Sequence, residues 1–404
     1  MKWILGANVL DAGSGRFRRA DIGIEGERIT SIVPQAKPDR RDEVEEMPGA
    51  WLLPGLIDCH VHLTMPTEPA DPGASRDRSD AEVALFTAKA AERTLMAGVT
   101  TARDVGGWNY VEMDVRKAIR DGYAIGPRLF LAGKLLSITT STFDYYPGMY
   151  EIADGPDAVR QAARKQLAKG ADLIKVMATG AMLSSETEDA RAIQFTLEEL
   201  KAAVEIAHDN FKHVAAHAHA CRGIENCIEA GVDSIEHCTF ADEAALKRIA
   251  ESGIYIVPTL CAGELLVRDN ATVESMPGFL RERMLEFNEI HIETIKRAHK
   301  AGARIAMGTD AGTPGNHHGM NGAECVFMVR DAGMSPLESI HAATVNPARL
   351  LRQEKNLGSL EAGKYADIIG CRGNPLDDIE ELTRLSLVMK GGRIYKDERS
   401  RKQA

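Results

Sequence analysis

Between residues 56 and 312 the chain repeats one unit, a short apolar run followed by an amphipathic stretch. The runs are "LIDCHVHL", "TTARDVG", "RLFLAGKLL", "DLIKVMA", "HVAAHAH", "SIEHC", "YIVPTL" and "RIAMGTDAG". Between them lie stretches with helical periodicity, such as "DAEVALFTAKAAERTLMAG", "TLEELKAAVEIAHDN" and "EFNEIHIETIKRAHKAG", several of which end at a glycine. Strands that alternate with helices argue for an α/β protein with a parallel sheet, since each parallel neighbour needs a crossover. Eight such units predict a (β/α)8 TIM barrel. An open doubly wound sheet would call for a glycine-rich first turn, and the first turn here reads "HVHLTMPTE".

The ends of the chain have another texture. The first 55 residues alternate apolar and polar side chains between turn residues, which predicts strands near 2–10, 20–25 and 28–33. The pattern returns in "GKYADIIGCRGNP" and "LSLVMKGGRIYKD", so the two ends are expected to pair into one small β-domain.

Composition narrows the class of partner. A net charge of −10, with no basic run beyond a solvated tail such as "RSRKQA", argues against nucleic acid or an anionic membrane and leaves a small-molecule substrate. Seven cysteines, at 59, 221, 227, 238, 261, 325 and 371, form no CxxC pair and read as reduced thiols. The apolar run in "MKWILGANVLDAG" is too short for a signal peptide, and no 18-residue apolar span occurs. A cytoplasmic protein is expected.

In a barrel, chemistry sits at the C-terminal ends of the strands. The ionisable residues that interrupt the apolar runs fall there. "DCHVHL" carries His60 and His62 on one strand face, "LIKVM" carries Lys175, and "AAHAHA" carries His217 and His219. "IEHC" carries His237, and "MGTDAG" carries Asp310. Taken singly, an HxH pair is more often core or surface, and a strand-end Asp more often caps a helix. Five imidazoles, an amine and a carboxylate converging on one barrel mouth point instead to a metal site.

Lys175 needs its own account, because a bare ammonium is expensive to bury. Desolvation lowers its pKa, and a neutral amine can add carbon dioxide to give a carbamate that bridges two cations as a carboxylate does. A Schiff-base lysine, a side chain snorkelling to the rim and an ion pair with Asp310 or another carboxylate are the alternatives. The carbamate employs every residue of the constellation. No GxSxG elbow, HExxH helix, GxxxxGK[ST] loop or strand-linked GxGxxG is present to support another hydrolase or a nucleotide enzyme.

These motifs, with "ADIGIEGERITSI", "LLPGLIDCHVHL", "GVTTARDVGG", "GADLIKVMATGA", "VDSIEHCT" and "NPARLLRQEKNLGSLEAGKYADIIG", resemble the amidohydrolase superfamily. The similarity is to its imidazolonepropionase-like branch, with prolidase-like and carboxypeptidase-like dipeptidases and ochratoxin-type amidases. It spans nearly the whole chain. The resemblance implies a barrel over 57–357 and a β-sandwich built from 1–56 and 358–404. It makes His60 and His62 ligands of a first metal, Lys175 the carboxylated bridge, and His217 and His237 ligands of a second metal. Asp310 would bind the first metal and shuttle the proton. His219 is left to touch substrate, and His318 in "TPGNHHGMN" matches a pocket position, with His317 a plain loop residue. Where dipeptidase-like members carry "TGGH", this chain reads "SITTSTFDYYPGMY", and Tyr145 and Tyr146 are the candidates for that space.

The expected activity is hydrolysis of a C–N bond, in a dipeptide or an N-acyl amino acid, with two divalent cations. Zinc is expected first, with manganese, cobalt or iron as substitutes. An aryl urea, carbamate, cyclic amide or ester on the same site is the second expectation, and a non-catalytic metal-barrel protein the third. Specificity is expected in loops 64–78, 138–155 and 261–280. Barrels of this kind often associate into homo-oligomers.

Overall fold

A computed structural model describes residues 1–11, 13–66, 78–144, 146, 148–182, 188–276 and 278–398. Both termini enter one mixed sheet of eight strands. Lys2–Asp11 pairs antiparallel with Arg16–Glu25, which pairs with Arg28–Val33, and it pairs parallel with Glu43–Glu46 and Trp51–Pro54. The C-terminal strands join at Ile368–Cys371, antiparallel to Trp51–Pro54, and continue through Leu387–Lys390 to Arg393–Asp397. Alternation buries Ile4, Val9, Ile22, Ile24, Leu52, Ile368 and Leu387 in a common apolar cluster.

All eight apolar runs of the middle region form strands, and every strand pair there is parallel. One sheet joins Leu56–Val61, Val99–Asp104 and Arg128–Leu131. A second runs from Tyr150–Ile152 and Leu135–Ser137 through Leu173–Met177, His213–Ala218, Ser234–His237 and Tyr255–Val257 to Arg304–Ile305. Such strands are buried on both faces, which is why they read as unbroken apolar runs. The segment after Arg304–Ile305 returns to the first strand. Cys59 N–H donates to Met307 O, Thr309 and Asp310 N–H donate to His60 O, and His62 N–H donates to Ala311 O.

The intervening helices start where local capping predicts. Ser79 caps Asp80–Met96, and Thr196 with Glu199 forms a capping box on Leu197–Asp209. The region 261–280 is helical rather than an open loop: Leu260–Arg268 and Asn270–Ser275 lead into the long helix Gly278–Lys300. No helix among the described residues is long and apolar enough to cross a membrane.

Candidate metal centre

The structure brings the strand-end residues into one cavity. His60, His62, Lys175, His217, His219, His237 and Asp310 all line it. His217, His219 and His237 each offer a nitrogen within 4.8 Å of the others, and His60, His237 and Asp310 do the same with a carboxylate oxygen. Asp310 Oδ1 lies 3.3 Å from His60 Nε2 and 3.5 Å from His62 Nε2. The backbone is left-handed at His237, Cys238, Thr259 and Asp310, with φ of 69°, 61°, 56° and 59°. Each such residue costs about 1–3 kcal/mol, and strain of this kind gathers where side chains must be aimed.

Hydrogen bonds behind the rings choose which nitrogen faces inward. A carbonyl or carboxylate oxygen only accepts, so the imidazole nitrogen beside it carries the proton and the other is bare. His60 Nδ1 donates to Glu236 Oε2 at 2.7 Å, and His62 Nδ1 donates to Gly106 O at 3.0 Å. His217 Nε2 donates to Gly180 O at 3.0 Å. Thr259 commits its hydroxyl proton to Pro258 O, so its oxygen accepts from His237 Nδ1 at 2.7 Å. Three imidazoles, His62, His217 and His237, thus present a bare nitrogen to the cavity. His60 instead has a carboxylate at each ring nitrogen, and although burial and Lys175 oppose it, Asp310 and Glu236 raise its pKa. His219 differs: its Nδ1 meets the Thr239 hydroxyl at 2.8 Å, which can donate or accept, and its Nε2 has no partner.

Lys175 is 1% exposed, and its Nζ has no hydrogen-bond partner. That geometry removes two of its readings, the snorkelling side chain and the simple ion pair. Burial, opposed by the charges of Glu236 and Asp310, holds its pKa down to about 8. Burial likewise takes His62 to about 4 and His217 to about 3, so both rings are neutral and able to bind a cation. Burial works against the Asp310 carboxylate, yet the neighbouring His60 and His62 hold its pKa at about 2. An orphaned amine, the imidazoles of His60, His62, His217 and His237 and an ionised carboxylate are the donor types that suit divalent cations.

Two supporting groups were not singled out in the sequence. Glu236 and Arg103 are fully buried and joined at 2.8 Å, Glu236 holding His60 and Arg103 also reaching Ser234 Oγ at 3.1 Å. Asp58, also buried, accepts from His60 N–H, from Thr309 N–H and Oγ1, and from Asn321 Nδ2. It ties the strand of His60 to the turn that carries Asp310. Arg103 and Glu236 interrupt apolar runs just as Lys175 does, so the signal was there; what sequence could not show is that they pair.

Of the residues expected at substrate, His219 lines the cavity. His318 is buried with its ring 6.4 Å from Phe86 and is not among the lining residues. Tyr145 lies outside the described residues, while its neighbour Tyr146 lines the cavity with Tyr150. Asn288, His291, Thr259 and Thr313 also line the cavity, and the rest of the wall is apolar and rich in methionine.

Comparison with known proteins agrees with this geometry. Residues 51–395 match the model of the Amidohydrolase family. Ochratoxinase of Aspergillus niger is 34% identical over 386 residues, covering 85% of this chain and 75% of that protein. Its crystal structure gives a TM-score of 0.85 at 32% identity, covering 98% of this chain and 95% of that one. A Xaa-Pro dipeptidase with methionine bound in its active site gives 0.89 at 34% identity, covering 98% and 99%.

Proposed function

This chain belongs to the amidohydrolase family, and we propose that it hydrolyses the amide bond of a dipeptide or N-acyl amino acid with a pair of divalent cations. As a member it is a hydrolase acting on carbon–nitrogen bonds. The observation that carries the proposal is the single cavity into which five imidazoles, Lys175 and Asp310 converge.

His60, His62 and Asp310 would hold one cation, and His217 and His237 the other, with Lys175 as a carbamate between them. The pairing of His217 with His237 is supported by the cluster of nitrogens within 4.8 Å that they form with His219, and each of the two has one nitrogen committed to a protein oxygen and the other bare. Zinc suits imidazole and carboxylate donors. Bound cations polarise the scissile carbonyl and make water acidic enough to ionise near neutral pH.

The chain's own residues do the rest. Asp310 accepts the proton of the attacking water at a carboxylate oxygen and returns it to the departing nitrogen, first base and then acid. Its depressed pKa keeps it ionised at neutral pH, with its oxygens free of a proton of their own. His219 serves the developing oxyanion from Nε2–H, a tautomer available when the Thr239 hydroxyl donates to Nδ1. The apolar wall excludes water from the reacting groups.

We also read the parallel sheets as one (β/α)8 barrel over 57–357, and 1–56 with 358–404 as a β-sandwich. The hydrogen bonds between 307–311 and 59–62 support that reading. Seven free cysteines suit a reducing cytoplasm.

The test is metal analysis combined with a panel of dipeptides, N-acyl amino acids, aryl ureas, carbamates and esters. One to two divalent cations per chain are expected, with amide hydrolysis abolished by chelation and restored by zinc. Full activity in metal-free protein would sink the mechanism.

A further inference from the structure

Among the polar groups of the cavity left unused by this machinery, one stands out by its hydrogen bonding. Asn288, on the helix Gly278–Lys300, is 8% exposed and lines the cavity. Its Nδ2 donates to Glu264 Oε1 at 3.0 Å. Because a carboxylate can only accept, that bond decides which end of the carboxamide is nitrogen and which is oxygen. Glu264 is in turn held by Arg268 at 3.1 Å and by Arg330, so the carboxamide has a fixed anchor. Its other end, Oδ1, is buried and has no hydrogen-bond partner. Gly263 makes the space, since a Cβ there would overlap Oδ1. Buried acceptors are rarely left without a donor, and one that no protein group satisfies on the wall of a binding cavity can take its donor from a ligand. Met65, Met149, Met177, Met182, Met284 and Leu266 line the same cavity. Thioether and alkyl walls adapt to an apolar body of irregular shape.

We propose that Asn288 Oδ1 accepts a hydrogen bond from an N–H of the substrate, and that the enzyme selects amides carrying that donor beside an apolar group. This rests on the amide-hydrolase reading. Two substrate groups can supply the donor: the amide N–H of a secondary amide, or the α-ammonium of a dipeptide. A site built around a hydrogen bond rejects the analogue lacking it far more strongly than an apolar pocket rejects a methyl group, because the protein group is then stranded.

The zinc-loaded enzyme is compared on N-acetyl-L-methionine and N-acetyl-N-methyl-L-methionine, and on L-alanyl-L-methionine and L-alanyl-N-methyl-L-methionine. If the amide N–H is the donor, kcat/KM falls at least about 100-fold on N-methylation in both pairs. If the ammonium is the donor, the dipeptide pair reacts alike and both members outrun the acetyl compounds by a similar factor. In Asn288→Leu, close to asparagine in size, either preference shrinks to within a few-fold, whereas a merely steric preference survives. Asn288→Asp combined with Glu264→Gln, so that the new carboxylate meets a carboxamide N–H and not a second carboxylate, keeps an acceptor and keeps the preference, which also controls for loss of the fold. Metal content and thermal midpoint are measured on each variant. Equal rates across all four compounds in the wild type, or a preference untouched in Asn288→Leu, overturn the role of Asn288 and leave the hydrolase reading standing. A metal-loaded wild type that hydrolyses none of the four overturns both.

Discussion

Lys175 is where the residue scale decides the chemistry, since its amine is buried, unpartnered and held near a pKa of about 8. Near neutral pH such an amine is partly unprotonated and can take up carbon dioxide, and the resulting anion repays its burial only between cations. Lys175→Ala should therefore purify with little metal and little activity. Acetate or propionate with added zinc should restore part of the rate, whereas amines of similar size should not. Amine rescue without carboxylate rescue would show a Schiff-base lysine instead. Asp310→Asn keeps the shape but cannot take the proton, so kcat should drop by about 10²–10⁴-fold while metal content falls less. A variant within a few-fold of wild type makes Asp310 a spectator. Glu236→Gln tests the support behind His60: metal affinity should weaken by about 10–100-fold. It also strands the buried Arg103 guanidinium at a cost of about 3–5 kcal/mol. Adding Arg103→Met should recover the thermal midpoint but not the metal affinity, and recovery of both would reduce the pair to packing. At this scale the candidate ligands were legible because charge is conspicuous in an apolar strand. Arg103 and Glu236 were equally conspicuous, but they meet across strands 133 residues apart, and nothing local announces that contact.

At the scale of elements, legibility followed the locality of the physics. Strands buried on both faces and helices with their own caps carry their signals within a few residues. The helix Leu260–Arg268 does not. Its preceding residue, Thr259, is left-handed and gives no side-chain cap. The cap comes from Glu324 on the helix Ala323–Arg330, whose two carboxyl oxygens accept from Leu260 N–H at 2.9 Å and Cys261 N–H at 2.7 Å. A cap delivered from another helix is invisible in the local sequence, so the stretch read as a loop. Burial raises the Glu324 pKa from 4.5 to about 8, against the pull of those N–H donors. A folded-state pKa above the unfolded one means stability that is full below about 4.5 and is lost as pH rises through about 8. Glu324→Gln retains one acceptor and should cost about 1–3 kcal/mol at pH 5. The gap should narrow toward pH 8, as the wild type alone loses stability. Denaturant unfolding at the two pH values checks this, and a gap that widens with pH would mean the carboxylate is ionised throughout.

Across the whole molecule, the pairing of the two ends was legible as texture, yet their attachment to the parallel sheets was not. Arg128 makes that joint: it pairs with Asp367 and stacks 3.8 Å from the Tyr365 ring centroid, while Lys390 Nζ donates to Gly126 O. The candidate ligands, by contrast, are gathered from strands spread between His60 and Asp310, so a bound cation ties together segments far apart in the chain. The fold does not depend on that tie, because the core around the parallel sheets is apolar and continuous. Its rings are also held by hydrogen bonds to Glu236, Gly106, Gly180 and Thr259 that need no cation. Chelated protein should therefore keep its far-UV circular dichroism and lose stability only by linkage. With free zinc about 100-fold above Kd, each site contributes about 2.7 kcal/mol, which for a chain of this size is a shift of a few degrees in Tm. The shift should grow with the logarithm of free zinc and should be smaller in Lys175→Ala. A Tm indifferent to zinc would remove the cations from this cavity. Loss of secondary structure on chelation would mean that the metal assembles the site instead of entering one already set.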